Sequence, residues 1–122
     1  MGKFVIRQVN TGCKFDLLAA NGESILSSEV YSSRSACLRG VESVRKNAPA
    51  APLADLTDEY ESSLPNPRFE LYRDKADKFR FRLRSRNGKT IAVSGSYVTK
   101  TGCRDGIESV RANAPAGEVE YT

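Results

Sequence analysis

The chain has 122 residues, 39% hydrophobic and 28% charged, with a formal net charge of +4, the balance of a globular protein that binds its own core. No apolar run approaches the ~18 residues that span a bilayer, and the N-terminal Met1-Gly2-Lys3-Phe4-Val5-Ile6-Arg7 turns polar too soon for a secretory signal. There is no histidine and only three cysteines, which removes Ser-His and Cys-His nucleophile pairs and most zinc sites, and argues for a reducing, cytoplasmic setting over a disulfide framework.

Phe4 and Ile6, then Phe15, Leu17 and Ala19, alternate with more polar positions, the period-2 pattern of half-buried strands. Asn21-Gly22 then signals a hairpin, read as a type I′ turn, and a third strand is centred on Ile25. The period changes after Tyr31. Cys37, Val41, Val44 and Ala48 recur at spacings of four, three and four, one face of a helix. Ser33 or Ser35 supplies the N-cap oxygen, Asn47 suits a left-handed C-terminal position, and Pro49 forbids continuation. Gly40 sits inside this helix at a cost of about 1 kcal/mol relative to alanine, which points to a close backbone approach.

Residues 51–67 are rich in proline and acid, a linker or a linker wrapping a short strand. The first pattern then returns. Residues 14–50 align without gaps on residues 80–116, an offset of 66, with about 17 of 37 positions identical. Phe69 and Leu71, then Phe79, Phe81 and Leu83, repeat the strands; Asn87-Gly88 repeats the turn, and Ile91 the third strand. Thr99 or Thr101 caps a second helix carrying Cys103, Gly106, Ile107, Val110 and Ala114, followed by Asn113 and Pro115. Upstream the offset falls to 65, which places a one-residue indel in the first hairpin loop. Glu118-Val119-Glu120-Tyr121 alternates and reads as a last strand. The chain therefore divides into a first repeat (1–50), an acidic linker (51–67) and a second repeat (68–122). A unit of ~50 residues alone buries too little surface to be stable, so the two are expected to share one core.

Three constellations are candidates for chemistry. Arg80, Arg82, Arg84 and Arg86 alternate along one predicted strand, forming a guanidinium row on the face opposite Phe79, Phe81 and Leu83. With Tyr72 as a stacking partner this row suits a polyanion such as nucleic acid; it equally suits a solvated strand face paired with acids such as Glu70. The first repeat has Lys14, Asp16, Leu18 and Ala20 at those positions, so the row is not part of the repeat. By segment the net charge is +3 over residues 1–49, −4 over 50–67 and +5 over 68–122. Glu42 with Arg45, and Glu108 with Arg111, have the i,i+3 spacing of intrahelical ion pairs. Cys37 and Cys103 lie on the apolar helix face as small hydrophobes, whereas Cys13, beside a hairpin loop, is the candidate for an exposed thiol.

FDLLAANGESIL with GVESVRKNAP, and FRLRSRNGKTIA with GIESVRANAP, closely resemble the YegP-like family, small bacterial proteins built from one or two copies of a domain of unknown function. The resemblance implies an α+β fold of tandem βββα repeats: a pseudo-twofold antiparallel sheet, two helices on one face, and C-terminal segments available for exchange between halves. It implies no activity and carries no catalytic residue. The first turn of copy one, Val9-Asn10-Thr11-Gly12-Cys13, departs from the charged turn expected there and found in copy two as Arg73-Asp74-Lys75-Ala76-Asp77-Lys78. The expected function is a non-enzymatic binding module, a monomer without metal, cofactor or membrane contact, with a macromolecular partner; nucleic-acid binding through the arginine row is the alternative, and an enzyme of unrecognised type the remaining one.

Overall fold

The computed structural model describes residues 2–57 and 64–122, so the order of the acidic linker over 58–63 lies outside the described residues. In chain order the elements are β1 (Lys3–Val9), β2 (Gly12–Leu18), β3 (Ser24–Ser28), α1 (Arg34–Asn47), β4 (Leu53–Asp55), β5 (Arg68–Arg73), β6 (Phe79–Arg84), β7 (Thr90–Val93), α2 (Lys100–Asn113) and β8 (Glu118–Tyr121). All eight strands form one sheet, in the order β4-β5-β6-β7-β3-β2-β1-β8. The two halves meet at its centre, where β3 and β7 run antiparallel, with Ser27 opposite Val93. The six central strands are antiparallel as expected, but the edges are not: β4 joins β5 in parallel, and β8 joins β1 in parallel. The sheet is therefore mixed.

Those parallel edges are the exchange between halves. The strand after α1 pairs with the second repeat, and the strand after α2 pairs with the first. Short tails with one half-buried alternating face are too small to stand alone, and each fills the edge of the neighbouring half. A helix arginine secures each crossing. Arg45 pairs with Glu42 and donates from Nη2 to the Gly117 carbonyl, just before β8. Arg111 pairs with Glu108 and donates to the Ala51 carbonyl at 2.6 Å, just before β4. Their guanidinium carbons lie 5.5 Å from the Phe4 ring centre and 5.4 Å from that of Phe69. The ion pairs read from the sequence thus exist, and they aim the arginines across the pseudo-twofold axis. A second tie has diverged. Asp55 of β4 accepts from Lys100 and Arg104 of α2, both at 3.0 Å, while at the matching place Arg34 of α1 stacks 4.7 Å over Tyr121 of β8.

The core lies between the sheet and the helices. Phe4, Ile6, Phe15 and Leu17 of one half, and Phe69, Leu71, Phe81 and Leu83 of the other, are all buried, as the period-2 pattern predicts. Phe4 meets Phe15 edge-on at 5.8 Å and Phe15 stacks on Tyr31 at 6.3 Å; Phe69, Phe81 and Tyr97 repeat this at 6.0 and 6.2 Å. The helix glycines explain the tyrosines. A Cβ on Gly40 would lie 2.7 Å from Tyr31 Cζ, and one on Gly106 would lie 2.8 Å from Tyr97 Cζ. The close approach is thus to a side-chain ring, not to backbone. Each ring is held from below by a backbone bridge, Tyr31 to Cys13 and Tyr97 to Phe79.

Local details differ from the sequence reading in three places. The Asn-Gly turns are not type I′. Only Gly22 and Gly88 have positive φ, and the Gly22 and Gly88 amides donate to the carbonyls of Ala19 and Ser85 at 2.9 Å. The bend is therefore spread over four residues and closed by glycine, a type I turn with a bulge. Asn47 and Asn113 end their helices in helical conformation, and the caps Ala48 and Ala114 are right-handed. The asparagine side chains instead fold back, Asn113 Nδ2 donating to the Ser109 carbonyl at 2.8 Å, and the prolines provide the stop. Cys13 is 7% exposed in β2, because the first hairpin has only Asn10-Thr11 between Val9 and Gly12 and the strand begins earlier than expected. The N-caps are Ser33 and Thr99, accepting from Ala36 N at 3.1 Å and Gly102 N at 3.0 Å. The indel falls in the first hairpin loop, where the second copy closes residues 74–78 with Asp77 at φ 64.

Two outcomes follow from this packing. Gly40→Ala or Gly106→Ala should destabilise the protein by about 1–3 kcal/mol in urea unfolding, although helix propensity alone favours alanine; a raised midpoint would show that the tyrosine ring is not wedged there. Cleaving a protease site engineered into residues 58–63 should leave both fragments eluting as one species on native size exclusion, since each supplies an edge strand to the other; separate elution would mean that the exchange does not hold the halves together.

Candidate functional site

The sheet face away from the helices is where the halves differ. On the helix side the two copies pair like with like: Phe4 with Phe69, Phe15 with Phe81, Leu17 with Leu83, Cys37 with Cys103. On the outer face Lys3, Val5, Arg7, Lys14, Asp16 and Leu18 are matched by Arg68, Glu70, Tyr72, Arg80, Arg82 and Arg84. In the first half the outer charges form two pairs and leave Lys14 over: Lys3 meets Glu120 at 3.1 Å, and Arg7 meets Asp16 at 3.1 Å. In the second half, four arginines face two carboxylates.

β5 and β6 set that arrangement by register. Glu70 is opposite Arg82, with Arg68 opposite Arg84 and Tyr72 opposite Arg80. The Glu70 side chain is only 2% exposed, covered by the arginine stems around it. It accepts from Arg82 Nε at 2.6 Å, Arg84 Nε at 2.8 Å, and Arg68 Nε and Nη2 at 2.9 and 2.5 Å. Burial alone would raise its pKa, but the hydrogen bonds from Arg82, Arg84 and Arg68 outweigh burial and hold the carboxyl down at about 2. Glu70 is thus a buried anion that fixes three guanidinium groups while neutralising one.

The remaining nitrogens point in different directions. Arg68 is spent, its Nη1 donating to the Leu64 carbonyl at 2.8 Å. Arg84 Nη1 donates to the Gly88 carbonyl at 3.0 Å and reaches Thr90 Oγ1 at 3.3 Å. Arg82 uses Nε on Glu70, and its guanidinium carbon lies 4.4 Å from the Tyr72 ring centre; among the described residues its terminal nitrogens make no hydrogen bond. Arg80 Nε pairs with Asp74 at 2.7 Å. Asp74 in turn accepts from the Ala76 and Lys78 amides at 2.9 and 3.0 Å, which closes the β5–β6 turn, and its pKa is lowered chiefly by the Arg80 hydrogen bond. Beside them a shallow hollow of about 420 Å³ is lined by Tyr72, Asp74, Lys75, Ala76 and Arg80.

The sequence-predicted site is therefore brought together in part. Arg80, Arg82 and Arg84 share one face with Tyr72, but Arg86 does not. β6 ends at Arg84, and Arg86 stands exposed in the following turn, beside a separate open hollow with Ser43, Asn47, Ser85 and Asn87. The acid pairing expected of the row is present, and four arginines share two carboxylates. Arg68, Asp74 and Lys75 were not anticipated; the signal was available in the one-residue hairpin offset, which sets Arg68 across from Arg84. Cys37 and Cys103 are fully buried, and burial pushes both thiols up to about 11. Glu42 and Glu108 are largely exposed on the helices and line neither hollow. Among the described residues no group of three or more acids and thiols could hold a metal, and no helix is long and apolar enough to cross a membrane.

Sequence profiles now supply the family. One described as a domain of unknown function, DUF1508, matches residues 10–55 and again 74–120. The chain belongs to this family. A UPF0339 protein of Stutzerimonas stutzeri, described as lying in the ptx operon 5′ region, is 40% identical over 106 residues, 87% of this chain and 82% of that protein. A Treponema denticola UPF0339 protein is 58% identical over 52 residues, 43% of this chain but 90% of the relative, a stretch about the length of one DUF1508 segment. The solution NMR structure of E. coli YegP, a protein of unknown function, superposes with a TM-score of 0.81 at 31% identity, covering 99% of this chain and 92% of that one. The YegP-like resemblance and the α+β tandem-repeat fold are thereby established. The DUF1508 description and the relatives' names assign no activity, so no residue role is carried over from them.

Because the Glu70 pKa is depressed in the folded state, its contribution to stability is present above about 4.5, the ordinary value, and is lost as pH falls towards about 2. Glu70→Gln should therefore destabilise the protein near pH 7 and flatten the pH dependence of the urea midpoint across that acid window. An unchanged acid profile would mean that the carboxylate is not held by the arginines.

Proposed function

We propose that this chain is a non-enzymatic binding module whose working surface is the outer face of β5 and β6, and that it takes a phosphate-bearing polyanion, nucleic acid, as its macromolecular partner. The observation that carries this reading is the asymmetry of the duplication. The two core faces carry largely the same residues, while one outer face closes two ion pairs and leaves Lys14 over, and the other sets four arginines against two carboxylates. A solvated strand face needs no buried carboxylate to organise it. Glu70 is held ionised among three guanidinium groups and sets their spacing before any ligand arrives, so little side-chain entropy is lost on binding. Alternate strand positions recur roughly every 6.8 Å along the backbone, of the same order as the phosphate repeat of a nucleic-acid strand.

A binding role also fits what surrounds the face. Both hollows are shallow, the shifted carboxylates are held in hydrogen bonds and ion pairs, and the buried helix thiols are held in the protonated form. We read the protein as a cytoplasmic monomer, since its three cysteines are unpaired and each half is completed by the other within one chain.

Fluorescence anisotropy with short single- and double-stranded DNA and RNA tests this. Reversing Arg82 and Arg84 to glutamate would set new carboxylates against buried Glu70 and unfold the site, so the informative variant is Glu70→Gln with Arg82→Gln and Arg84→Gln. Wild type should bind at micromolar or tighter affinity, weakening steeply with salt. The triple variant should lose at least tenfold and lower the salt slope by roughly 0.7 for each phosphate contact removed. Arg7→Gln, which lowers the net charge by the same single unit in the first half, should bind as wild type. Equal losses in both variants would mean that net charge, not this face, attracts the strand.

A further inference from the structure

We infer that the hollow at the β5–β6 turn seats an unstacked nucleobase, which makes the ligand a single strand in preference to a duplex; this rests on the proposed function and narrows it. Tyr72 is the pivot. It stands on the outer face between the arginine row and the hollow, with the Arg82 guanidinium 4.4 Å from its ring centre and Asp74, Lys75, Ala76 and Arg80 completing the other boundary. A ring clamped by a cation on one side is rigid, and rigid aromatic surface beside basic groups is the recurring platform for single-stranded nucleic acid. Every base has a π-face, but in a duplex that face is covered by its neighbours, so only an unpaired base reaches the ring.

The polar rim suits the same ligand. Arg80 is oriented by Asp74 at 2.7 Å and donates weakly to the Ser94 carbonyl at 3.3 Å. Lys75 is exposed at the tip of the turn and makes no ion pair among the described residues. A base over Tyr72 would therefore have one flanking phosphate beside Lys75 and the other beside the terminal nitrogens of Arg82. The turn itself is rigid, because Asp74 holds the Ala76 and Lys78 amides and Asp77 donates its amide to the Asp74 carbonyl at 3.0 Å. The first half offers no counterpart. Arg7 replaces Tyr72 and its hairpin loop is one residue shorter, so a chain of two units has one such seat.

The test compares three labelled probes on the full chain: a short oligothymidylate, a strand of the same phosphate count made wholly of abasic sites, and a duplex of the same length. The oligothymidylate should bind wild type roughly tenfold more tightly than the abasic strand, and more tightly than the duplex. In Tyr72→Leu that preference should fall to near unity while the salt slope is unchanged, because the phosphates and arginines remain. The comparison between probes on wild type does not depend on how the variant folds. Equal affinity for base-bearing and abasic strands, with binding still lost in the triple arginine-face variant, overturns the base seat and leaves the cationic face standing. Tighter binding of the duplex overturns it likewise. Absence of binding to every probe at low salt overturns both.

Discussion

Each helix ends beside an arginine that captures a carbonyl from the opposite half. This is the constraint on which the rest of the structure depends. Arg45 takes Gly117 and Arg111 takes Ala51, each steadied by a glutamate one turn back and laid near a core phenylalanine. Hydrogen bonds that involve a charged donor contribute roughly 1.5–3 kcal/mol each, and here they act where the chain crosses between units. Without the crossing, each unit would present an unpaired sheet edge and an open end of its core. With it, a ~50-residue unit that would be marginal alone is completed. The identical Glu-Ser-Val-Arg in the two helices is therefore a latch rather than a surface ornament.

The same duplication separates what the fold needs from what it leaves open. The Phe-Phe-Tyr stack, the helix glycine beneath the tyrosine hydroxyl, the buried cysteine and the latch occur in both halves with the same partners. These positions face inward and tolerate little change, because a packed core resists gain or loss of volume. Outer-face residues have no such constraint, and the two outer faces have become chemically different. One closes two ion pairs and leaves Lys14 over. The other wraps four arginines around a buried glutamate and a turn aspartate, and sets a tyrosine beside a hollow. A surface that is both pre-organised and short of negative charge is the property from which the functional reading follows.

Even the diverged positions obey common physics. Asp55 binds Lys100 and Arg104 through charge, and Tyr121 meets Arg34 through its ring face, yet both tie an exchanged strand to the start of a helix. Copy two spends a longer first turn on Asp74, which organises Arg80; copy one makes a tight Asn10-Thr11 turn and draws Cys13 inside. One inserted residue thus converts a plain hairpin into the corner of the candidate site.

By itself, the sequence determined everything that depends on short-range periodicity and on the repeat. Alternation set the inward strand faces, the 3.6-residue spacing set both buried helix faces, the caps were narrowed to Ser33 or Ser35 and Thr99 or Thr101, Pro49 and Pro115 stopped, and self-alignment located the indel. The alternating arginines also announced that Arg80, Arg82 and Arg84 share a face. Tertiary structure decided the rest. Turn type depended on how the flanking strands were paired, so Asn-Gly alone misled. The β1–β8 edge, the latch and the tie of Asp55 to the second helix depended on contacts between residues 45–117 apart in the chain, which no local pattern encodes, and Arg86 left the row because β6 ends at Arg84. Glu70 is the clearest case. In sequence it is an acid on a strand, and only cross-strand register surrounds it with three guanidinium groups and makes it the anion that organises the site.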